Sequence, residues 1–174
     1  MNKVLVFSGG GINGVAFLGV LKALEELDFI QYFSTFAGSS IGSIILTLYL
    51  IGYTPSELLN INMSGISNIS IVGFLDNYGI DNGEGVRLLL EDLFARKGYS
   101  KTITMLELHN RVNKSIYYTT TCLNTMTAVY LNYEDYPDLQ VITALRMTSS
   151  IPLYYEPVLY DGKLFIDGSC MDNY

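Results

Sequence analysis

The chain has 174 residues, of which 49% are hydrophobic and 16% are charged. Disordered chains are poor in apolar residues and rich in charge, so this composition predicts a folded protein, and the length suits one domain over residues 1–174. The formal net charge of −7 and the lack of any basic run argue against a nucleic-acid partner and against electrostatic adhesion to anionic membranes.

The first part of the chain predicts alternating strands and helices. Lys3–Phe7 is a short β-branched and aromatic run, and apolar residues at helical spacing follow Gly14 as far as Leu27. Tyr32–Ala37 predicts a second strand, and Ile41–Ile51 predicts a nearly all-apolar helix that is buried on most sides. This order implies an α/β fold with parallel strands and right-handed crossovers.

The rest of the chain predicts further helices and short strands. We expect helices at Gly85–Lys97, Met105–Val112 and Leu139–Thr148, and strands at Ser115–Thr121, Ala128–Asn132, Val158–Tyr160 and Leu164–Ile166. Between residues 60 and 79 the pattern loosens, with isolated apolar residues among Ser, Asn and Gly. Within it, Ser64–Tyr78 is a candidate lid or lipid-contacting edge, and a packed connecting segment is the alternative.

The residue pattern offers no support for a metal, a cofactor or a membrane span. Cys122 and Cys170 lie far apart and no His/Cys cluster has metal-ligand spacing, so we expect two ordinary core thiols. The N-terminal apolar run is too short for an export signal, and the longest run, Ile44–Ile51, is far shorter than a membrane span. We therefore expect a cytoplasmic protein; an apolar loop leaves transient membrane-surface contact open, and the oligomeric state is open as well.

A candidate nucleophile follows the second predicted strand. Gly38-Ser39-Ser40-Ile41-Gly42 matches G-x-S-x-G between a strand and a buried helix, the context of a nucleophile elbow. Ser40 would stand at the helix N-terminus, where free N–H groups favour developing negative charge. The alternative is that Ser39 or Ser40 only caps the helix.

A serine nucleophile needs a base, and histidine is the usual one. The one histidine, His109, lies on an amphipathic helix with no glycine turn or acidic motif beside it, which is typical of a structural residue. Asp167 is the better candidate, because it follows the apolar strand Leu164–Ile166 and precedes Gly168, which puts a carboxylate at a strand end in apolar surroundings. A simple Asp-Gly turn is the alternative.

The glycine run after the first strand fits two kinds of anion site. Gly9, Gly11 and Gly14 match the G-x-G-x-x-G of dinucleotide-binding proteins, but no acidic residue ends the second strand to bind a ribose. A P-loop is excluded because no Gly-Lys-Ser/Thr follows. The backbone amides of Gly9, Gly10 and Gly11 are therefore better interpreted as an oxyanion hole beside Ser40.

In this order the motifs resemble those of the patatin-like phospholipases and acyl hydrolases. "SGGGING" is similar to the family's oxyanion loop, "GSSIG" to its nucleophile elbow, and "DGS" at Asp167–Ser169 to its Asp-Gly-Gly/Ala motif. "GIDNGEGVRLLLEDLF" and "ALRMTSSIPLYYEPV" are weaker likenesses. The resemblance implies a three-layer, doubly wound, mostly parallel sheet flanked by helices. Gly14, Gly38, Ile41, Gly42 and Gly168 would support the motifs.

The resemblance also implies a Ser40–Asp167 dyad that hydrolyses fatty-acyl esters of phospholipids or other acyl lipids through an acyl-enzyme, without a metal. Asn13 stands where many members carry Lys or Arg, and Ser169 replaces the usual Gly or Ala. The chain ends at "MDNY", just beyond the aspartate, where the family commonly continues. These departures keep open a catalytically silent lipid-binding or interaction module. A dinucleotide-binding protein, from the glycine fingerprint, is the third and less favoured alternative.

Overall fold

A computed structural model describes residues 3–61 and 78–174 of the chain. Apart from Tyr78, the candidate lid Ser64–Tyr78 lies outside the described residues. In the described part, no helix has the length and apolar character needed to cross a bilayer.

The described residues form eight strands and six α-helices. The strands are β1 (Lys3–Phe7), β2 (Phe33–Ser39), β3 (Gly79–Asp81), β4 (Ser115–Cys122), β5 (Thr127–Leu131), β6 (Leu153–Tyr155), β7 (Val158–Tyr160) and β8 (Lys163–Asp167). The helices are α1 (Val15–Glu26), α2 (Ile41–Leu50), α3 (Pro55–Leu59), α4 (Glu84–Arg96), α5 (Met105–Val112) and α6 (Val141–Ser149). Short 3₁₀ turns lie at Gly11–Gly14, Ile30–Tyr32 and Gly168–Cys170.

Each strand and helix predicted from the sequence is present, with ends shifted by at most two residues. Three short elements, α3, β3 and β6, were not predicted. A signal for α3 existed, because Thr54 and Glu57 form a capping box with Pro55 at the first helical position. The strands β3 and β6 pair with each other in a separate parallel two-stranded sheet, and three residues are too few to show a period.

The predicted α/β fold is confirmed, and its main sheet is mixed. Strands β1, β2 and β4 run parallel, as expected, whereas β5 and β8 run antiparallel to β4, and β7 runs antiparallel to β8. The sheet is therefore less parallel than expected, because hairpin loops join some of its later strands. Asp161 and Gly162 join β7 to β8 with φ values of 47° and 69°, as in a tight hairpin turn that requires antiparallel strands.

The ends of β2 and β8 meet along one edge of β4. Strand β2 pairs with Ser115–Thr119 of β4, and β8 pairs with the next residues, Thr120–Cys122. Strand β5 pairs with Tyr118–Cys122 of β4, so that Tyr118 lies opposite Leu131 and Cys122 lies opposite Thr127. Because β5 covers the residues that pair with both β2 and β8, it occupies the opposite edge of β4. Because β2 and β8 run in opposite directions, both point their C-terminal ends at the junction between Thr119 and Thr120.

Two buried helices pack against this junction. Helix α2 packs on β2, α6 packs on β4 and β8, and the two helices contact each other. All residues of α6 except Thr143 are buried, and α2 buries most of its length, as its apolar sequence predicted. Burial of each large apolar side chain contributes about 1.5–3 kcal/mol, so both helices are held firmly against the sheet.

Candidate active site

Ser40 forms a strained turn between β2 and α2. Its φ is +52° and its ψ is −127°, a backbone conformation that costs a non-glycine residue about 1–3 kcal/mol. Its side chain is 6% exposed and makes no capping hydrogen bond to the described helix α2. The Ser39 hydroxyl lies 3.2 Å from the hydroxyl of Ser169. Neither serine therefore caps α2 with its side chain, which was the alternative considered for both residues.

The glycines on either side of this turn are required by close packing. A Cβ on Gly38 would lie 2.6 Å from the backbone N of Ser43, and a Cβ on Gly42 would lie 2.4 Å from the carbonyl oxygen of Phe7. Both clashes involve backbone atoms, which cannot move aside cheaply. The spacing of the G-x-S-x-G motif thus lets α2 start directly against β1 and β2.

Asp167 ends β8 and is 3% exposed. One carboxylate oxygen, Oδ1, accepts the N–H of Ser169 at 2.9 Å, while the backbone N–H of Asp167 donates to the carbonyl of Ser150 at 2.8 Å. Gly168 follows in close contact with β4, since a Cβ there would lie 2.1 Å from the carbonyl oxygen of Thr119. Among the described residues, no hydrogen bond joins the Ser40 hydroxyl directly to Asp167.

The glycine turn packs directly on Ser40. A Cβ on Gly9 would lie 3.2 Å from Cβ of Ser40 and 2.1 Å from the Ser169 hydroxyl. At the other end of the turn, a Cβ on Gly14 would lie 2.6 Å from the side chain of Ile41. Glycine at both positions therefore lets the turn lie against the start of α2.

The amides of the glycine turn are not equivalent. The N–H of Gly9 donates to Oδ1 of Asn173 at 2.7 Å. Gly11 has φ +53°, and the N–H of Asn13 donates to the carbonyl of Gly10 at 3.0 Å as the first hydrogen bond of the 3₁₀ turn. The N–H groups of Gly10 and Gly11 precede that bond, as the first amides of a helix do.

An apolar cavity of about 470 Å³ opens beside Ser40. Helix α2 contributes Ile41, Ile44, Ile45 and Leu48 to its lining, and α4 contributes Val86, Leu89, Leu90 and Leu93. In the described lining, the side chains able to form hydrogen bonds are Ser40, Ser149 and Tyr155. The volume lies within the usual range for ligand sites, and the lining suits an aliphatic chain.

The histidine predicted to be structural and the two cysteines can now be placed. His109 is half-buried, stacks on Tyr133 with ring centroids 3.6 Å apart, and has Nδ1 3.0 Å from the carbonyl oxygen of Lys114. Cys122 is buried, as expected, but Cys170 is exposed, contrary to expectation, because it lies in the turn that leaves the sheet after β8. Partial burial of the thiol raises the pKa of Cys170, and the charge of Asp167 adds to this effect.

Two residues that contact the site were not found by sequence reasoning. Thr148 accepts a hydrogen bond from the N–H of Ser40, and Asn173 accepts the bond from Gly9 already described. The partners are 108 and 164 residues apart in sequence, so no local pattern links them.

The mixed sheet and the turn at Ser40 define an α/β protein in which a strand leads directly into a helix through a strained serine. The model of the patatin-like phospholipase family matches residues 5–174, almost the whole chain. The chain belongs to this family.

Two viral proteins are similar in sequence. "Probable lipid hydrolase 463L" of Invertebrate iridescent virus 6 is 31% identical over 180 residues, which cover 99% of this chain and 61% of that protein. "Uncharacterized protein R571" of Acanthamoeba polyphaga mimivirus is 30% identical over 181 residues, which cover 99% of this chain and 59% of that protein. The chain thus spans 59–61% of the length of these relatives.

Two bacterial proteins of known structure share the fold. VipD from Legionella pneumophila superposes with a TM-score of 0.75 at 16% identity, covering 99% of this chain and 47% of that one. The type III effector ExoU, from Pseudomonas aeruginosa, superposes with a TM-score of 0.58 at 21% identity, covering 83% of this chain and 39% of that one. At such low identity the likeness concerns the fold alone.

Proposed function

We propose that the chain is a lipid acyl hydrolase that cleaves fatty-acyl esters through an acyl-enzyme on Ser40. The observation that carries this proposal is the strained backbone of Ser40 at the edge of an apolar cavity. A strained serine turn presents a hydroxyl for attack, and the adjoining cavity offers apolar surface to an acyl chain. Membership of the patatin-like phospholipase family supports the same chemistry.

In the proposed reaction, Asp167 accepts the proton of the Ser40 hydroxyl as Oγ attacks the ester carbonyl carbon. The C–O bond to the alcohol then breaks, and Asp167 returns the proton to the departing alcohol oxygen. Water attacks the acyl-enzyme in the same way and releases the fatty acid. The lack of a direct Ser40–Asp167 hydrogen bond among the described residues is compatible with this role, because catalytic hydrogen bonds often tighten only when substrate binds.

The oxyanion of the tetrahedral intermediate needs backbone N–H donors next to Ser40. Among the three predicted donors, Gly10 and Gly11 stand at the start of the 3₁₀ turn, whereas Gly9 donates to Asn173. We therefore assign oxyanion binding to the amides of Gly10 and Gly11, and an anchoring role to the Gly9–Asn173 hydrogen bond.

The substrate we propose is a phospholipid or another acyl lipid. Several apolar side chains of the cavity lining are exposed to solvent, among them Ile12 at 94% and Leu59 at 63%. Exposed apolar side chains beside an apolar cavity favour a substrate drawn from a lipid surface over a dispersed polar ester. A cytoplasmic protein that contacts membranes transiently stays our expectation.

The second candidate is a lipid-binding or interaction module without turnover. Two observations favour it: the N–H of Gly9 is already bonded to Asn173, and no hydrogen bond joins Ser40 to Asp167 among the described residues. Both candidates predict lipid binding, and only the first predicts a reactive serine. The dinucleotide alternative is disfavoured, because the end of β2 leads into the serine turn rather than to a ribose-binding acid.

A fluorophosphonate probe, combined with hydrolysis of a short-chain ester, separates the two candidates. We expect the wild type to be labelled and active, and Ser40→Ala to lose both properties. Ser149→Ala is the matched control, since Ser149 also lines the cavity but its hydroxyl donates to the carbonyl of Leu145. Labelling that persists in Ser40→Ala would remove Ser40 as the nucleophile, and an unlabelled, inactive wild type would favour the module.

A further inference from the structure

We propose that Thr148 is a positioning residue, whose hydroxyl holds the backbone of Ser40 in its strained conformation. This inference rests on the proposed function, in which Ser40 is the nucleophile. Thr148 lies near the end of α6 and is completely buried. It touches no predicted reacting atom, and any effect on catalysis would pass through Ser40.

The Thr148 hydroxyl has a defined direction. It donates to the backbone carbonyl of Thr119 in β4, and its oxygen accepts the N–H of Ser40 at 3.0 Å. A hydroxyl has one hydrogen to donate. Since that hydrogen is used on the sheet, the side facing Ser40 is an acceptor, which matches the N–H directed at it.

Ser40 needs such an acceptor because α2 provides none. The first helical hydrogen bonds run from the N–H groups of Ser43 and Ile44 to the carbonyl of Ser40, at 3.0 and 3.3 Å. The N–H of Ser40 lies before these bonds, and a buried N–H without a partner is costly. A strained conformation persists only where its surroundings over-determine it, and the hydrogen bond to Thr148 is one of the contacts that fix the backbone at Ser40.

The end of α6 also holds the strand that carries Asp167. The single hydrogen of the Thr120 hydroxyl is shared between the carbonyls of Met147 and Ile166, whose oxygens lie 3.1 and 2.8 Å from Oγ1. On the far side of Thr148, the carbonyl of Ser150 accepts the N–H of Asp167 at 2.8 Å. The segment from Met147 to Ser150 therefore joins Ser40 on one side to Asp167 on the other, and Thr148 is its contact with Ser40.

A matched pair of substitutions separates positioning from packing. Thr148→Val keeps the shape but removes the hydroxyl, and Thr148→Ser keeps the hydroxyl. Thr47→Val is the control, because Thr47 is equally buried and its hydroxyl bonds to the carbonyl of Ser43 and to the hydroxyl of Tyr118, both at 2.7 Å, without touching the N–H of Ser40.

We expect Thr148→Val to lower both the rate of fluorophosphonate labelling and kcat for a short-chain ester by about 10- to 100-fold, because small misplacements of a reacting group cost about that much. KM should stay within about twofold, since the cavity is unchanged, and Thr148→Ser should recover most of the rate. Thr47→Val should lower Tm without lowering the labelling rate.

If Thr148→Val is labelled at the wild-type rate and loses as much Tm as Thr47→Val, the positioning proposal is overturned and the proposed function stays intact. Failure of the wild type to be labelled at all would instead overturn the proposed function. If Thr148→Val does not fold, Thr148→Cys serves, because a thiol is a weak acceptor of similar size. An intermediate labelling rate would then support positioning, and a wild-type rate would refute it.

Discussion

The side-chain oxygen of Asn173 accepts the N–H of Gly9 at 2.7 Å, which ties the segment after β8 to the glycine turn beside Ser40. The two roles that can be considered for this bond predict opposite effects on kcat. If it anchors the turn, it helps to aim the neighbouring amides at the oxyanion. If it occupies a donor that the reaction needs, it inhibits.

We expect Asn173→Ala to lower kcat for a short-chain ester by about 10-fold, because a turn that is no longer anchored places its amides less well for the oxyanion. Asn173→Asp keeps an oxygen acceptor and should lose much less. Steady-state kinetics of the three proteins measure the effect. A higher kcat in Asn173→Ala would mean that Asn173 blocks the oxyanion hole.

Asp167→Asn should abolish most ester hydrolysis while the fold is retained. The amide keeps an oxygen that can accept the N–H of Ser169 but cannot take a proton from Ser40, and loss of general base catalysis costs about 10²- to 10⁴-fold. Asp161→Asn in the exposed β7–β8 turn is the control, since asparagine tolerates its φ of 47°. Unchanged hydrolysis in Asp167→Asn, with circular dichroism like the wild type, would refute the dyad.

Filling the apolar cavity should change chain-length preference. Leu89 lines the cavity, whereas its neighbour Leu88 is 51% exposed and is not part of the lining. We expect Leu89→Trp to lower kcat/KM for long-chain esters about 10-fold relative to short-chain esters, because pocket shape discriminates chains by amounts of that order. Leu88→Trp should leave the ratio unchanged, and equal ratios in both variants would place the acyl chain elsewhere.

Gly42→Ala should destabilise the fold strongly. The added Cβ would lie 2.4 Å from the carbonyl oxygen of Phe7, so α2 and β1 would have to separate. Overpacking typically lowers the free energy of unfolding by about 1–3 kcal/mol, and a clash with backbone should lower it further. Gly19→Ala is the matched control, because nothing lies within 4 Å of a Cβ there and alanine is about 1 kcal/mol better in a helix. Thermal unfolding should show a lower Tm for the first variant and a higher Tm for the second.

The elements of the fold could be read from the sequence because they depend on local pattern. Alternating strands and amphipathic or apolar helices appear in the predicted order, and Ser40 lies where the strand-to-helix turn was expected. The antiparallel pairing of β7 with β8 could also be predicted from the sequence, because the two-residue connection Asp161-Gly162 is long enough only for a hairpin. The capping box at Thr54 and Glu57 would have revealed α3.

The surroundings of Ser40 were decided by tertiary structure alone. The strain at Ser40, the hydroxyl of Thr148 behind its N–H, and the bond from Asn173 to Gly9 all depend on how separate elements come together. The meeting of β2 with β8 depends on where each one stops along β4, at Thr119 and Thr120. Periodicity records which face of an element is buried, but not which distant residue lies against it, because that contact depends on register and helix packing.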